Sequence, residues 1–222
     1  MASSEQWLAA VWPAVRDHLP DPPATVVELG CGRVGGFVPR LRQEGFETIG
    51  IDPEAPDGED YRRIEFERCD LPAQLDAIIA CTSLHHVADP DEVVAKIADA
   101  LDPNGLVIVV EWDWESFDEA TARWCSDRAE DGSWLQRRLE GWTASGQPWE
   151  DHFRSWAAEH GIHSARELLG RLDERLQRVS CERGPFLFAD LVGVSEADER
   201  EAIGAEEIRA LRVDYVGRRG KG

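Results

Sequence analysis

The chain has 222 residues, 42% of them hydrophobic and 31% charged, which describes one globular domain, or one with a sizeable insertion, long enough to bury a core. Its 44 acidic residues outnumber 24 basic ones, for a formal net charge of -20. A surface that acidic repels phosphate backbones and anionic lipid, so neither nucleic acid nor membrane is expected as a partner.

Residues 4–19 carry Trp7, Leu8, Val11, Trp12, Val15 and Leu19 at helical spacing, with Pro13 expected to kink or restart the helix and Pro20, Pro22 and Pro23 to end it. From 24 to 112 strands alternate with helices. Thr25–Leu29 reads as strand one, followed by a glycine cluster, a helix over 34–44 and strand two over 46–51, closed by Asp52. The spacing predicts strand three over 63–68, strand four over 76–81 and an amphipathic helix over 90–101. A turn over 102–105 and an apolar strand five over 106–110 follow. Such alternation implies a parallel sheet covered on both faces. Composition changes after Glu111: seven of the nine tryptophans fall between 112 and 156. Their helical spacing among charges fits an amphipathic core as well as the lining of a hydrophobic pocket. One more helix is expected through Leu168, Leu169, Leu172 and Leu176, a short strand over 178–182, a helix over 196–202 and a last strand over 211–216. The expected organisation is one domain, with a cofactor-binding core over 24–112, a helical insertion or lid over 113–180, and the last strands and helix over 181–222.

Cys31, Cys69, Cys81, Cys125 and Cys181 are odd in number, widely spaced and without a CxxC pair, so neither a disulfide framework nor a metal site is expected. The N-terminal residues lack the basic and apolar regions of a signal peptide, and no apolar run is long enough to cross a bilayer. A cytoplasmic protein with reduced thiols is the expectation. Lysine occurs only at 96 and 221, which reads as a coding bias.

The strongest local signal is Val27-Glu28-Leu29-Gly30-Cys31-Gly32-Arg33-Val34-Gly35-Gly36. A strand enters a glycine turn that opens a helix, and Asp52 stands 22 residues beyond Gly30, where an acid would take a ribose. Taken alone, the turn fits a nicotinamide dinucleotide or S-adenosylmethionine. Glu28, two residues before the first glycine, favours the second. A carboxylate there suits a sulfonium bearing an ammonium, whereas a pyrophosphate wants helix amides without a nearby acid.

At these residues the sequence resembles the class I S-adenosylmethionine-dependent methyltransferases, whose first motif is acid-x-Gly-x-Gly-x-Gly. Here Val34 stands at the third glycine position, and glycines follow at 35 and 36. Later residues match the family in order. Asp52 ends strand two, where the family's acid grips the ribose hydroxyls. Cys69-Asp70-Leu71 follows strand three, where an Asp accepts from the adenine amino group. Asp76–Cys81 followed by Ser83-Leu84-His85-His86-Val87 looks like the strand-four motif of small-molecule methyltransferases, and Leu101–Gly105 like the turn before strand five. The resemblance is close over 24–112 and looser over 208–218. It implies an α/β, Rossmann-like seven-stranded sheet with a helical insertion after strand five. It also implies S-adenosylmethionine as cofactor, S-adenosylhomocysteine as product and a small-molecule acceptor. The implied cofactor residues are Glu28, Gly30, Cys31, Gly32, Asp52, Cys69, Asp70, Leu71, Ala80 and Cys81. His85, with His86 as a weaker candidate, lies just past strand four at the sheet's carboxyl edge, where a base for a hydroxyl or amine acceptor would stand. Glu111, at the end of strand five, is the second catalytic candidate.

Two other classes stand beside this reading. A nicotinamide-dependent oxidoreductase would need a second βαβ half or a Tyr-x-x-x-Lys pair, and neither Tyr61 nor Tyr215 has such a lysine. A non-catalytic cofactor-binding subunit would use the acidic, Trp-rich half to dock a partner.

Overall fold

The computed structural model describes residues 2–220, with side chains from residue 5. Seven strands build one sheet: β1 (Thr25–Leu29), β2 (Glu47–Ile51), β3 (Tyr61–Arg62), β4 (Leu75–Cys81), β5 (Leu101–Trp112), β6 (Leu176–Gly184) and β7 (Arg212–Arg219). Their order across the sheet is β3-β2-β1-β4-β5-β7-β6. The first five are parallel, and β7 inserts antiparallel between β5 and β6. Strand order reverses between β1 and β4. Ligands of open α/β sheets bind in the crevice at the carboxyl ends of the strands that flank such a reversal. This is the Rossmann-like, seven-stranded arrangement expected from the sequence.

Two layers of helix cover the sheet. On one face α1 (Ala2–Arg16) and α2 (Val38–Gln43) bring Val11, Trp12, Val15, Phe37 and Leu41 onto Val26, Ala77, Ile79 and Ile108. On the other, α3 (Pro90–Ala100) and α7 (Ala165–Arg175) bring Val93, Val94, Ile97, Leu168 and Leu172 onto Ile78, Val107 and Tyr215. The central strands are therefore apolar on both sides, as buried parallel strands must be. The edge strand β6 is instead largely exposed and carries Arg178, Glu182 and Arg183, charges that discourage edge-to-edge pairing with another sheet.

Between β5 and β6 the chain forms α4 (Glu119–Ser126), α5 (Trp134–Ser145) and α6 (Trp149–Glu159) before it reaches α7. These helices build a third core from Phe117, Cys125, Leu135, Leu139, Trp149 and Phe153 around Trp112, which ends β5. The last helix, α8 (Glu196–Gly204), starts on a capping box between Ser195 and Asp198.

Several local expectations are corrected. α1 does not restart at Pro13 but runs through it as one helix, with Val11, Trp12 and Val15 packed on the sheet. The strand expected over 63–68 is only Tyr61–Arg62, and Phe66–Arg68 is a 3-10 turn. The Lys96 ammonium donates to the carbonyls of Phe66, Glu67 and Cys69 at 3.3, 2.6 and 3.1 Å, so those oxygens take a charge and not a strand partner. The lysine read as coding bias therefore shapes this turn. The helix expected over 34–44 begins only at Val38, because Gly35 and Gly36 both adopt positive φ. The turn expected over 102–105 is an irregularity within β5: pairing with β4 jumps from Leu75↔Leu101 to Ala77↔Leu106.

Trp149 anchors the insertion. It has no exposed surface, packs on Phe117 and Phe153 with ring centroids 4.7 and 4.9 Å away, and donates its indole N–H to the Phe117 carbonyl. Trp149→Ala should lower unfolding free energy by about 3–5 kcal/mol, read as a reduced midpoint in urea. A loss under about 1 kcal/mol would mean that the insertion does not share the cooperative core.

Candidate active site

Two cavities open at the carboxyl edge of the sheet, both lined by residues at the ends of β1 and β4. The smaller, about 520 Å³, is lined by Gly30, Asp52, Pro53, Glu65, Phe66, Glu67, Leu84 and Val87 among others. The larger, about 880 Å³, is lined by Glu28, Gly30, Cys31, Gly32, Cys81 and His85 at the sheet edge and by a set of aromatic side chains beyond them. Gly30, Thr82 and His86 border both. Both volumes fall in the range of about 300–1,000 Å³ usual for small-molecule sites.

The glycine turn is shaped by two carboxylates. Glu28 is buried at the end of β1 and accepts from the Phe37 and Val38 amides at 2.8 and 3.1 Å. Burial pushes its pKa up to about 8, against the opposing effect of those two amides. Asp52 accepts from the Gly32 amide at 3.0 Å and from the Glu54 amide at 2.7 Å, one bond on each oxygen. A carboxylate has roughly four acceptor positions, so both oxygens keep capacity for a ligand. Gly30 has φ +81°, and a β-carbon there would collide with Ser83. Gly36 has φ +55°, and a β-carbon there would run into the Glu28 carboxylate. Cys81 lines the larger cavity, while Ala80 is fully buried one residue earlier in β4.

Asp70 falls elsewhere. With Cys69 and Leu71 it borders a separate cleft of about 200 Å³ between Val27, Ile49 and Arg62. The 3-10 turn held by Lys96 instead brings Glu65, Phe66 and Glu67 to the smaller cavity, and Glu67 accepts from the Ala88 amide at 2.8 Å. The sequence reading missed these three because it placed strand three across them.

The two catalytic candidates form one unit. His85 Nδ1 lies 2.6 Å from Glu111 Oε2. Glu111 also accepts from the amides of Ser83, Leu84 and Trp112 at 3.0, 2.8 and 3.0 Å. Both side chains are buried, at 6% and 1% exposure. Burial opposes a charge on His85, yet the Glu111 carboxylate outweighs it and raises the imidazole pKa. Burial likewise opposes ionisation of Glu111, and His85 with the backbone amides overcomes it, so its pKa is lowered. Burial, then the neighbouring His85 charge, lowers the pKa of His86. A proton on Nδ1, directed at Glu111, leaves Nε2 as the free base nitrogen. The turn carrying His85 is fixed from outside as well. The His163 amide donates to the His85 carbonyl at 3.0 Å, and its Nε2 meets the Val87 carbonyl at 2.9 Å. Thr82, just before the turn, takes φ +48°, a strained value for a β-branched residue.

Trp7, Trp112, Trp134, Trp156 and Phe186 supply the aromatic wall of the larger cavity. Trp112 stacks on Phe186 at 5.8 Å and meets Trp134 edge-on at 5.2 Å. The 186–190 segment is pinned by Glu199 of α8, a fully buried carboxylate that accepts from the Phe186, Leu187 and Phe188 amides at 2.8, 3.1 and 2.7 Å. No local sequence signal marks Glu199.

Comparison with known proteins agrees with this geometry. Residues 5–175 match a family described as "Methyltransferase domain". The chain belongs to this methyltransferase family. A ubiquinone biosynthesis O-methyltransferase of Bradyrhizobium diazoefficiens is 29% identical over 107 residues, or 41% of this chain and 42% of that protein. The chain thus matches about two fifths of the length of that curated relative. An S-adenosylmethionine-dependent methyltransferase of Mesorhizobium loti superposes with TM-score 0.59 at 20% identity, covering 95% of this chain and 98% of that one. The 1,6-didemethyltoxoflavin-N1-methyltransferase of Burkholderia thailandensis, solved with its substrate and S-adenosylhomocysteine, superposes with TM-score 0.53 at 15% identity, covering 99% and 79%. The fold is that of the class I S-adenosylmethionine-dependent methyltransferases. No helix among the described residues is long and apolar enough to cross a membrane.

The residues present fit that cofactor. A cradle that β-carbons at Gly30 and Gly36 would fill lies between a carboxylate with spare acceptor capacity and one held in the cavity wall. Gly36→Ala should displace the Glu28 carboxylate and strain the turn. It should weaken S-adenosylhomocysteine binding by about tenfold or more in calorimetric titration. Unchanged affinity would remove the turn from the cofactor site.

Proposed function

We propose that this methyltransferase modifies a hydroxyl or amino group of a small, apolar or aromatic molecule, with His85 as general base. The observation that carries the proposal is the buried His85–Glu111 pair in the wall of an aromatic cavity that borders the glycine cradle. The supporting chemistry is simple. When bound, the cofactor supplies an electrophilic methyl carbon. What the acceptor needs from the protein is alignment, exclusion of water and a place for its proton.

Each residue then has a task. Asp52 holds the ribose hydroxyls, and Glu65, Phe66 and Glu67 face the adenine in place of Asp70. The Glu28 carboxyl faces the cationic end of the cofactor, which favours its ionised form. His85 Nε2 takes the acceptor's proton. Glu111 acts through His85 as a positioning residue, since its oxygens are committed to backbone amides and to Nδ1. Trp112, Trp134, Trp156 and Phe186 enclose the acceptor and keep water out. The similarity to a ubiquinone biosynthesis O-methyltransferase and to a 1,6-didemethyltoxoflavin-N1-methyltransferase supports a small-molecule acceptor methylated on oxygen or nitrogen. A cytoplasmic location suits a chain whose five cysteines are all free thiols.

The defining experiment is calorimetric titration with S-adenosylmethionine and, in parallel, nicotinamide dinucleotides, followed by an acceptor screen of aryl hydroxyls and arylamines that reads S-adenosylhomocysteine release. Binding of a dinucleotide instead would overturn the proposal. Asp52→Ala should weaken cofactor affinity by about an order of magnitude, through loss of charge-assisted bonds to the ribose. Equal affinity would sink that assignment. His85→Ala should lower turnover about a hundredfold with cofactor affinity intact.

The pH dependence follows from the same pair. The working form of His85 is neutral, and Glu111 raises its pKa. Turnover should therefore fall as pH drops through a value above the ordinary 6.5. In Glu111→Gln the carboxylate charge is gone and burial dominates, so the acid limb should move to lower pH while turnover falls. A variant with an unmoved limb would show that the titrating group is not His85.

A further inference from the structure

The larger cavity holds one acid that the proposed reaction does not use. Asp190 ends the 3-10 turn Phe188–Asp190 and lines the cavity beyond the aromatic wall. Its Oδ2 accepts from the Trp134 indole N–H at 2.9 Å. Its backbone is fixed by bonds from its own amide to Leu187 and from the Glu130 amide to its carbonyl. Among the described residues no arginine, lysine or histidine pairs with it. Burial raises its pKa, and the nearby Glu130 charge pushes in the same direction. The cation that borders this cavity, Arg33, is turned to Glu54 in an exposed pair.

A half-buried carboxylate with a single neutral donor is poorly compensated, and the fold holds it there rigidly. The same cavity is lined by Trp112, Trp134, Trp156 and Phe186, and the Trp156 ring already carries the Arg138 guanidinium 5.1 Å from its centroid, so this wall accepts cations. From His85 the wall runs through Trp112, 6.2 Å away, to Trp134 and so to Asp190. Trp112 and Trp134 thus link the base to the acid along the wall. We propose that Asp190 and this aromatic wall bind a protonated amino group on the acceptor, away from the atom that faces His85. The inference rests on the reading of this cavity as the acceptor site. It narrows the substrate class to aromatic molecules that carry a basic amine besides the group that is methylated.

The test uses three probes of one shape, phenethylamine, 2-phenylethanol and phenylacetate, titrated into the full chain saturated with S-adenosylhomocysteine. The readouts are calorimetry and the emission of the cavity tryptophans. The amine should bind at least about tenfold tighter than the alcohol, and the carboxylate weakest. Asp190→Asn keeps an acceptor for the Trp134 N–H, so the wall should stand, and the amine should lose its advantage over the alcohol. Equal binding of amine and alcohol by the unaltered chain overturns the proposal without any variant. An advantage that persists in Asp190→Asn also overturns it, by assigning the preference to the overall negative field. Failure to bind S-adenosylhomocysteine would count against the methyltransferase site itself, and so is distinguishable from either.

Discussion

The Glu111 carboxylate is the constraint on which the site depends. It sits at the end of β5, fully enclosed, and gathers the amides of Ser83, Leu84 and Trp112 together with His85 Nδ1. With the His85 amide at 3.4 Å, five donors meet one ionised group and are worth far more than as many surface bonds, because hydrogen bonds to a charge are stronger and water does not compete in the interior. The effect is to weld the segment after β4 to the end of β5. That segment borders both cavities, so Glu111 fixes a wall that they share. Ser83 extends the weld to β1 through its hydroxyl, which donates to the Leu29 carbonyl at 2.9 Å.

The same device recurs twice. Glu28 captures the amides that open α2, and Glu199 captures three successive amides of the 186–188 segment. Each buried glutamate fixes an irregular stretch of backbone whose N–H groups would otherwise be orphaned. Their ionisation differs for a clear reason. Glu111 is coupled to the titratable His85 imidazole besides its backbone amides, and its pKa falls. Glu28 and Glu199 lie in buried surroundings with amides as their hydrogen-bond donors, and burial prevails in both. A carboxyl pushed up to about 8 is held mostly neutral at pH 7, so Glu28 is the one of the three whose charge state a cationic ligand would change most.

The legible part of the fold was the part written in local pattern. Strand one, the glycine turn, strand four and the helix over 90–101 follow from apolar periodicity and turn chemistry, and these place the crevice. Asp52 was legible because its distance from the turn is fixed by one helix and one strand. Asp70 shows where that logic stops: a long strand three would have carried it toward the crevice, whereas it borders a separate cleft. The strand is instead two residues long, because an ammonium from α3, about thirty residues away in sequence, takes the carbonyls of the following turn. Contacts made across such separations leave no periodic trace. Glu199 and Asp190 were invisible for the same reason, and the joining of His85 to Glu111 depends on the pairing of β4 with β5.

The tryptophans resolve into two roles that composition could not separate. Trp149 is core: it has no exposed surface, and its N–H is satisfied inside the insertion. Trp134 and Trp156 line the cavity, and the Trp134 N–H is spent on Asp190. An amphipathic indole that buries its ring edge while its N–H orients a neighbouring acid is a costly way to build a plain hydrophobic wall, since Leu or Phe would fill the space without a polar atom to satisfy. The Trp134–Asp190 pair makes sense if the wall must be apolar to an aromatic ring and polar at one fixed point. The insertion is thus a scaffold that carries its own core and turns a chosen subset of its aromatic residues toward the sheet edge, where the residues gathered by Glu111 wait.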